Sequence, residues 1–208
     1  MFIELVELLR CIRAHDESWL VAAIEELADR SIIRGKLGCP VCQAEYPVAN
    51  GVADFSGGHG SATHRARPLG DPTDVAMRAG AFLGLAESTG AVILGGSWAA
   101  GASDLVESTE ARVFAANHSG SQTNNGVGQI LVGVQLPFAA SSCAGVALDD
   151  SFSAETLTSA IRVIRPGGRI VAPATLSRPA TLELLAEDDE WWVARKPPEL
   201  TTLRKGSR

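Results

Sequence analysis

The sequence predicts an α/β protein: a doubly wound, mostly parallel sheet preceded by a small α+β module. Three observations carry that expectation. Short apolar runs alternate with helical patterns after residue 72. Cys11, Cys39 and Cys42 cluster near the start, and a glycine- and proline-rich stretch separates the two regions. The expected boundaries are 1–55 for the module, 56–71 for a linker, 72–197 for the α/β domain and 198–208 for a flexible tail. A chain of 208 residues is long enough to bury a core without disulfide staples.

Within the first module, Asp16 or Ser18 is placed to cap a helix running to about Arg30, because Leu20, Ile24 and Leu27 recur at helical spacing. Gly35-Lys36-Leu37-Gly38 reads as a turn into Cys39-Pro40-Val41-Cys42. Tyr46-Pro47-Val48 and Val52–Phe55 read as short strands around a turn at Asn50-Gly51. In the second region Thr73–Glu87 reads as a helix. Ala91–Leu94, Ala111–Ala115, Gln129–Val134, Ala144–Leu148 and Arg169–Ala172 read as five buried strands. Helical patterns at about 97–107 and 153–164 separate some of them. Glu190–Lys196 reads as a further edge strand, and Glu187–Glu190 as a solvated turn.

The balance of charge narrows the partners. A formal charge of −6 lacks the basic footprint of broad nucleic-acid binding, leaving nucleic acid only as a modification substrate. A protein partner or a second copy of the chain fits this composition. The N-terminus lacks the basic start and apolar run of a signal peptide, and no stretch approaches the ~20 apolar residues of a membrane helix. The expectation is a cytoplasmic protein in a reducing compartment.

Cys11-x3-His15 and Cys39-x2-Cys42 supply four N/S donors in two close pairs, which suits a tetrahedral structural zinc site. Two other readings share those residues: a metal-free ribbon, and redox chemistry at the Cys-x-x-Cys pair. The flanking phrases add to this. Leu9-Arg10-Cys11, Ile33–Cys42, Glu45-Tyr46-Pro47-Val48 and Gly51–Phe55 resemble the small zinc-ribbon activator family. Members of that family bind and stabilise class I methyltransferases that act on tRNA, rRNA and translation factors. The resemblance covers about residues 1–55, with Cys11 and His15 standing where the family usually has a first Cys-Pro-x-Cys pair.

Further along, Ala91–Leu94 runs into Gly95-Gly96-Ser97-Trp98-Ala99, a strand-to-helix turn that can present backbone N–H groups to a nucleotide. The same turn imitates a nucleophile elbow with Ser97 exposed, for which His118 is the only later histidine. Leu136–Leu148 and Ala160–Ala172, the latter carrying Arg165-Pro166-Gly167-Gly168-Arg169, resemble class I S-adenosylmethionine-dependent methyltransferases over roughly 75–197. That resemblance implies S-adenosylmethionine near Gly95, Gly96, Ser97, Asn117 and Gln135. It also places Asp149-Asp150 where the family often keeps a substrate-facing residue, so either carboxylate is a candidate base; the alternative for this pair is a turn or a helix cap. Trp98 is read as packing or as filling the cofactor's space, and Cys143 as core.

Several family positions are substituted. Ile93 stands at the acid of the first strand, Ser97 and Ala99 at the second and third glycines, and Asn117 at the ribose-binding carboxylate. Each lost charge-assisted bond removes about 1.5–3 kcal/mol. Two functions remain open: a methyltransferase carrying its activator in cis, and a degenerate, non-catalytic relative acting as an interaction or assembly protein.

Overall fold

The computed structural model describes residues 1–57, 67–87, 89–118 and 126–198. Most of the expected linker (58–66) and nearly all of the expected tail (199–208) lie outside them. Among the described residues no helix is long and apolar enough to cross a membrane.

Among the described residues eleven strands form one sheet. They are β1 (Val21–Ala28), β2 (Ser31–Gly38), β3 (Glu45–Ala49), β4 (Val52–Phe55), β5 (Ala91–Gly95), β6 (Arg112–Ala116), β7 (Gly128–Val132), β8 (Cys143–Ala147), β9 (Ile164–Pro173), β10 (Glu183–Glu187) and β11 (Trp191–Arg195). Three helices accompany them: α1 (Pro72–Leu83), α2 (Ala102–Ser108) and α3 (Ala154–Val163). The order across the sheet is β1-β2-β3-β4-β7-β6-β5-β8-β9-β11-β10. From β7 to β9 neighbours run parallel, and β11 lies antiparallel between β9 and β10. Counted from β5, this half reads 3-2-1-4-5 and then an antiparallel closing pair. This half is a doubly wound α/β arrangement, parallel from β7 to β9, and the whole sheet is mixed. The order reverses between β5 and β8, where doubly wound sheets place their ligands.

Alternating residues on each central strand face opposite sides, so the sheet has two cores. On one side Val92 and Leu94 of β5 and Val113 of β6 meet α1, α2 and Trp98. Asp71 caps α1 by accepting the Thr73 N–H, and Pro72 opens its first turn. Val75, Ala79 and Leu83, four residues apart, then form its buried stripe. On the other side Ile93, Phe114 and Ile170 meet Leu157, Ala160 and Val163 of α3.

The N-terminal segment belongs to that second core. β4 pairs parallel with β7, Val52 opposite Gln129 through Phe55 opposite Val132. A 3-10 turn at Ile3–Leu8 buries Leu5 beneath the sheet, and Leu9 bridges to Phe138. Gly128 has no room for a side chain: a Cβ there would lie 2.6 Å from the Phe114 ring and 2.9 Å from Leu5. Residues 133–142, which connect β7 to β8, carry no helix. Leu5 and Leu9 fill the layer over the sheet that a crossover helix would otherwise supply.

Four expectations need correction. The helix expected to Arg30 is instead β1, joined to β2 by a tight turn at Asp29 and Arg30, both with positive φ. Of the helically spaced residues only Leu20, just before β1, is buried, while Ile24 and Leu27 stay 42% and 52% exposed. Residues 35–38 are the end of β2 and not a turn. β9 starts at Ile164, so Pro166–Gly168 is a bulge within a strand, with a register jump opposite Cys143–Gly145. Finally β11 is interior, and the edge is the unforeseen β10.

Because one core spans both regions, Leu9→Ala should lower the stability of the whole molecule by about 2–5 kcal/mol. Urea unfolding followed by tryptophan fluorescence, to which the buried Trp98, Trp191 and Trp192 of the opposite half contribute, should show one transition shifted as a unit.

Candidate functional site

The glycine turn sits at the switch point as its sequence position requires. β5 ends at Gly95, and Gly96 takes φ +61°, turning the chain so that the Ser97 N–H points back across the strand ends. That N–H is already bonded. The buried Asp149 carboxylate accepts it through Oδ2 at 2.6 Å, while Oδ1 accepts from the Ser151 backbone (3.0 Å) and hydroxyl (2.5 Å). A Cβ on Gly96 would lie 2.2 Å from Asp149 Oδ2. One on Gly95 would lie 2.6 Å from the buried ring of Phe152. The glycines thus make room for this chain's own Asp149 and Phe152. The Ser97 hydroxyl donates to the Arg67 carbonyl at 2.7 Å, and among the described residues no histidine bonds to it, which gives no support to the nucleophile-elbow arrangement.

Of the other expected cofactor residues, Asn117 lies beside the turn, since its neighbour Ala116 pairs with Gly95, but its side chain is engaged elsewhere. Asn117, at φ +55°, uses its side-chain amide to continue the sheet ladder: Nδ2 donates to the Val132 carbonyl at 2.9 Å, and Oδ1 accepts the Val132 N–H at 2.8 Å. Gln135 lies in a different cleft, beside Cys11, His15 and Arg162. The residues present therefore do not fit S-adenosylmethionine in the expected way. The turn amide, the space above Gly95 and the Asn117 amide are each taken by protein groups.

Trp98 is fully buried, edge-on to Trp191 at 5.1 Å, and serves as packing. Cys143 is core, its thiol pushed up to about 12 by burial. His118 is half-buried behind the turn, where desolvation lowers its pKa against a raising contact with the Gly96 backbone. Beside the turn a cleft of about 380 Å³ is lined by Ser97, Asp150, Thr175, Arg78 and Trp191. Asp150 is exposed at its mouth. Asp149 is spent on the turn, so only Asp150 of the candidate pair has a carboxylate free for chemistry.

The four N/S donors do converge. Ligand atoms of Cys11, His15, Cys39 and Cys42 all lie within 4.8 Å of one another. Cys11 Sγ and Cys42 Sγ are 3.6 Å apart, and Cys39 Sγ is 3.4 Å from His15 Nε2. Tetrahedral zinc with ordinary Zn–S and Zn–N bonds has edges of about 3.5–3.8 Å, so these two edges match the ion and the widest would close by about 1 Å on binding it. The surroundings fit as well. His15 Nδ1 faces the Asp16 carbonyl at 2.6 Å, which holds the proton on Nδ1 and leaves Nε2 free as a ligand. Tyr46 links its hydroxyl to Cys11 Sγ (3.1 Å) while accepting the Ile12 N–H (3.2 Å). Burial raises the Cys39 thiol pKa, but N–H groups of Cys42 and Val41 and the neighbouring thiols outweigh it and bring it down to about 6. Cys39 is therefore a ready thiolate near neutrality.

Phe152 and Tyr46 were missed as site residues. Tyr46 lies in a phrase that marked the resemblance, yet nothing in the sequence placed its hydroxyl on Cys11. Phe152 gave no signal, because a single aromatic after an acid pair is common.

No family model matches the chain, and no curated protein matches it. Among solved structures, a methyltransferase candidate from Methanococcus maripaludis, described as S-adenosyl-L-methionine-dependent, aligns with 64% of this chain and 87% of its own, at 13% identity and TM-score 0.47. The [4+2]-cyclase SpnF aligns with 66% and 88%, at 12% identity and TM-score 0.48. An O-methyltransferase candidate from Agrobacterium tumefaciens aligns with 62% and 82%, at 14% identity and TM-score 0.44. At these TM-scores the strand order and site geometry of this chain carry the functional argument.

The two neighbouring aspartates should separate cleanly. Asp149→Ala, which strips a buried charged acceptor from Ser97 and Ser151, should cost about 1.5–3 kcal/mol in urea denaturation. Asp150→Ala should stay within about 0.5 kcal/mol of the parent.

Proposed function

We propose that this chain is a non-catalytic member of the methyltransferase-like fold, acting as an interaction or assembly protein, with a structural zinc ion held by Cys11, His15, Cys39 and Cys42. The observation that carries the first part is the filled turn: Asp149 bonded to the Ser97 N–H, with Phe152 against Gly95. A carboxylate and a phenyl ring tethered within the fold occupy what a free cofactor would have to occupy. The zinc assignment rests on the donor spacing and on the His15 Nδ1 and Tyr46 contacts. A closed set of four protein ligands serves structure rather than catalysis. Here it would tie residues 11–15 to the turn between β2 and β3.

A second reading, methyl transfer with Asp150 as the base, is favoured by one observation: Asp150 is exposed at the mouth of the cleft beside the turn. It requires Asp149 and Phe152 to give way to the cofactor.

Isothermal titration decides between the two. S-adenosylmethionine and S-adenosylhomocysteine should give no saturable heat up to millimolar ligand, and a micromolar Kd for either would overturn the non-catalytic reading. Metal analysis of protein purified without chelator should give about one zinc per chain. Cys39→Ser should abolish that stoichiometry, whereas Cys143→Ser should leave it unchanged.

A further inference from the structure

The thiols of the Cys/His cluster differ in ways a closed metal site does not need. Cys42 is exposed, Cys11 is part-buried, and Cys39 is 3% exposed. Cys11 and Cys42 sit on separate elements, with their sulfurs facing at 3.6 Å. Cys39 Sγ is 3.4 Å from His15 Nε2 and also touches both other thiols, but it is the most deeply buried of the three. An oxidant from solvent therefore meets Cys42 first, and Cys11 is the sulfur placed to resolve the product.

We infer that Cys11 and Cys42 form an oxidative modification site, a disulfide formed by peroxide or by a low-molecular-weight disulfide, which takes over the task of the metal when it is made. With hydrogen peroxide, the Cys42 thiolate attacks one oxygen and the O–O bond breaks. Cys42 becomes a sulfenic acid, and the leaving hydroxide is protonated to water. The Cys11 thiolate then attacks the Cys42 sulfur, and the S–S bond forms as a second hydroxide leaves and is protonated. The two sulfurs together lose two electrons and the peroxide gains them. A zinc ion held by these four residues would lose two of its ligands in the process and be released.

The neighbourhood of Cys11 says what this preserves. Arg10 N–H donates to the Pro137 carbonyl at 2.9 Å, and Cys11 N–H to the Ser18 carbonyl at 3.0 Å. Glu17 accepts the Ala140 N–H at 2.7 Å and pairs with Arg162 on α3. Residues 10–18 are thus a strap across the β7–β8 connection, anchored at Cys11. Metal loss under reducing conditions releases that anchor, whereas the disulfide closes it covalently.

The test uses full-length protein, zinc-loaded and metal-free, treated with hydrogen peroxide and in parallel with glutathione disulfide. Non-reducing peptide mass spectrometry should find the Cys11 peptide cross-linked, short by two hydrogens, with fragment spectra placing the link at Cys42. In the loaded sample a chromogenic chelator should report zinc released in step with the cross-link, and dithiothreitol should reverse it. Metal-free protein should form the same link several-fold faster, so a failure of zinc to bind leaves this inference open to test. Limited proteolysis should cut residues 10–18 several-fold faster in the reduced metal-free form than in the oxidised one. A Cys39–Cys42 link, sulfinic or sulfonic acid on Cys42 without a link, or thiols that survive conditions oxidising free cysteine would each overturn it.

Discussion

The parallel pairing of β4 with β7 is the constraint from which the rest of the molecule follows. It converts β1–β4 from what could have been an appended hairpin array into one wing of a single sheet. With that edge covered, the first residues of the chain lie across the sheet and bury Leu5 and Leu9 against Phe114 and Phe138. Edges of parallel sheets need cover, and residues 1–55 supply it for β7. The position of the Cys/His cluster is a consequence. It sits where the strap leaving that layer meets the turn between β2 and β3, and so fixes the first wing to the connection after β7.

The central half of the fold was legible because its signals are local. Each of β5, β6, β7 and β8 is a short apolar run, and α1 and α3 show stripes at helical spacing with caps at Asp71 and Ser153. The N-terminal half was read less well for a physical reason. Leu20, Ile24 and Leu27 have helical spacing, but that pattern predicts a helix only if all three are buried together; Ile24 and Leu27 are exposed, and β1 is held by its ladder to β2. Asp29-Arg30 also lacks the glycine that usually announces a tight hairpin. β10 escaped notice because all five of its residues are exposed, leaving no burial pattern to read.

At the sites the division is between spacing and occupancy. The four metal-type donors could be found from spacing alone, since Cys-x3-His and Cys-x2-Cys are short-range patterns. The state of the glycine turn could not. Gly95 and Gly96 signal a place where another group approaches the backbone, and a sequence does not say whether that group is a ligand or the protein itself. Here Asp149 and Phe152, more than fifty residues later, are the groups that approach. Asn117 makes the same point: an amide in the expected place is spent on the Val132 backbone.

The link between Asp149 and Ser97 has one more consequence. A carboxylate carried on the same rigid sheet competes for that N–H as a tethered ligand, at an effective concentration that a dissolved metabolite does not reach without other contacts. Any molecule entering this turn must first outcompete a group that never diffuses away. It must also offer Ser151 a replacement acceptor, because the same carboxylate serves both. The occupancy of the turn is thus set by chain connectivity, and changes in metabolite level would leave it largely unaltered.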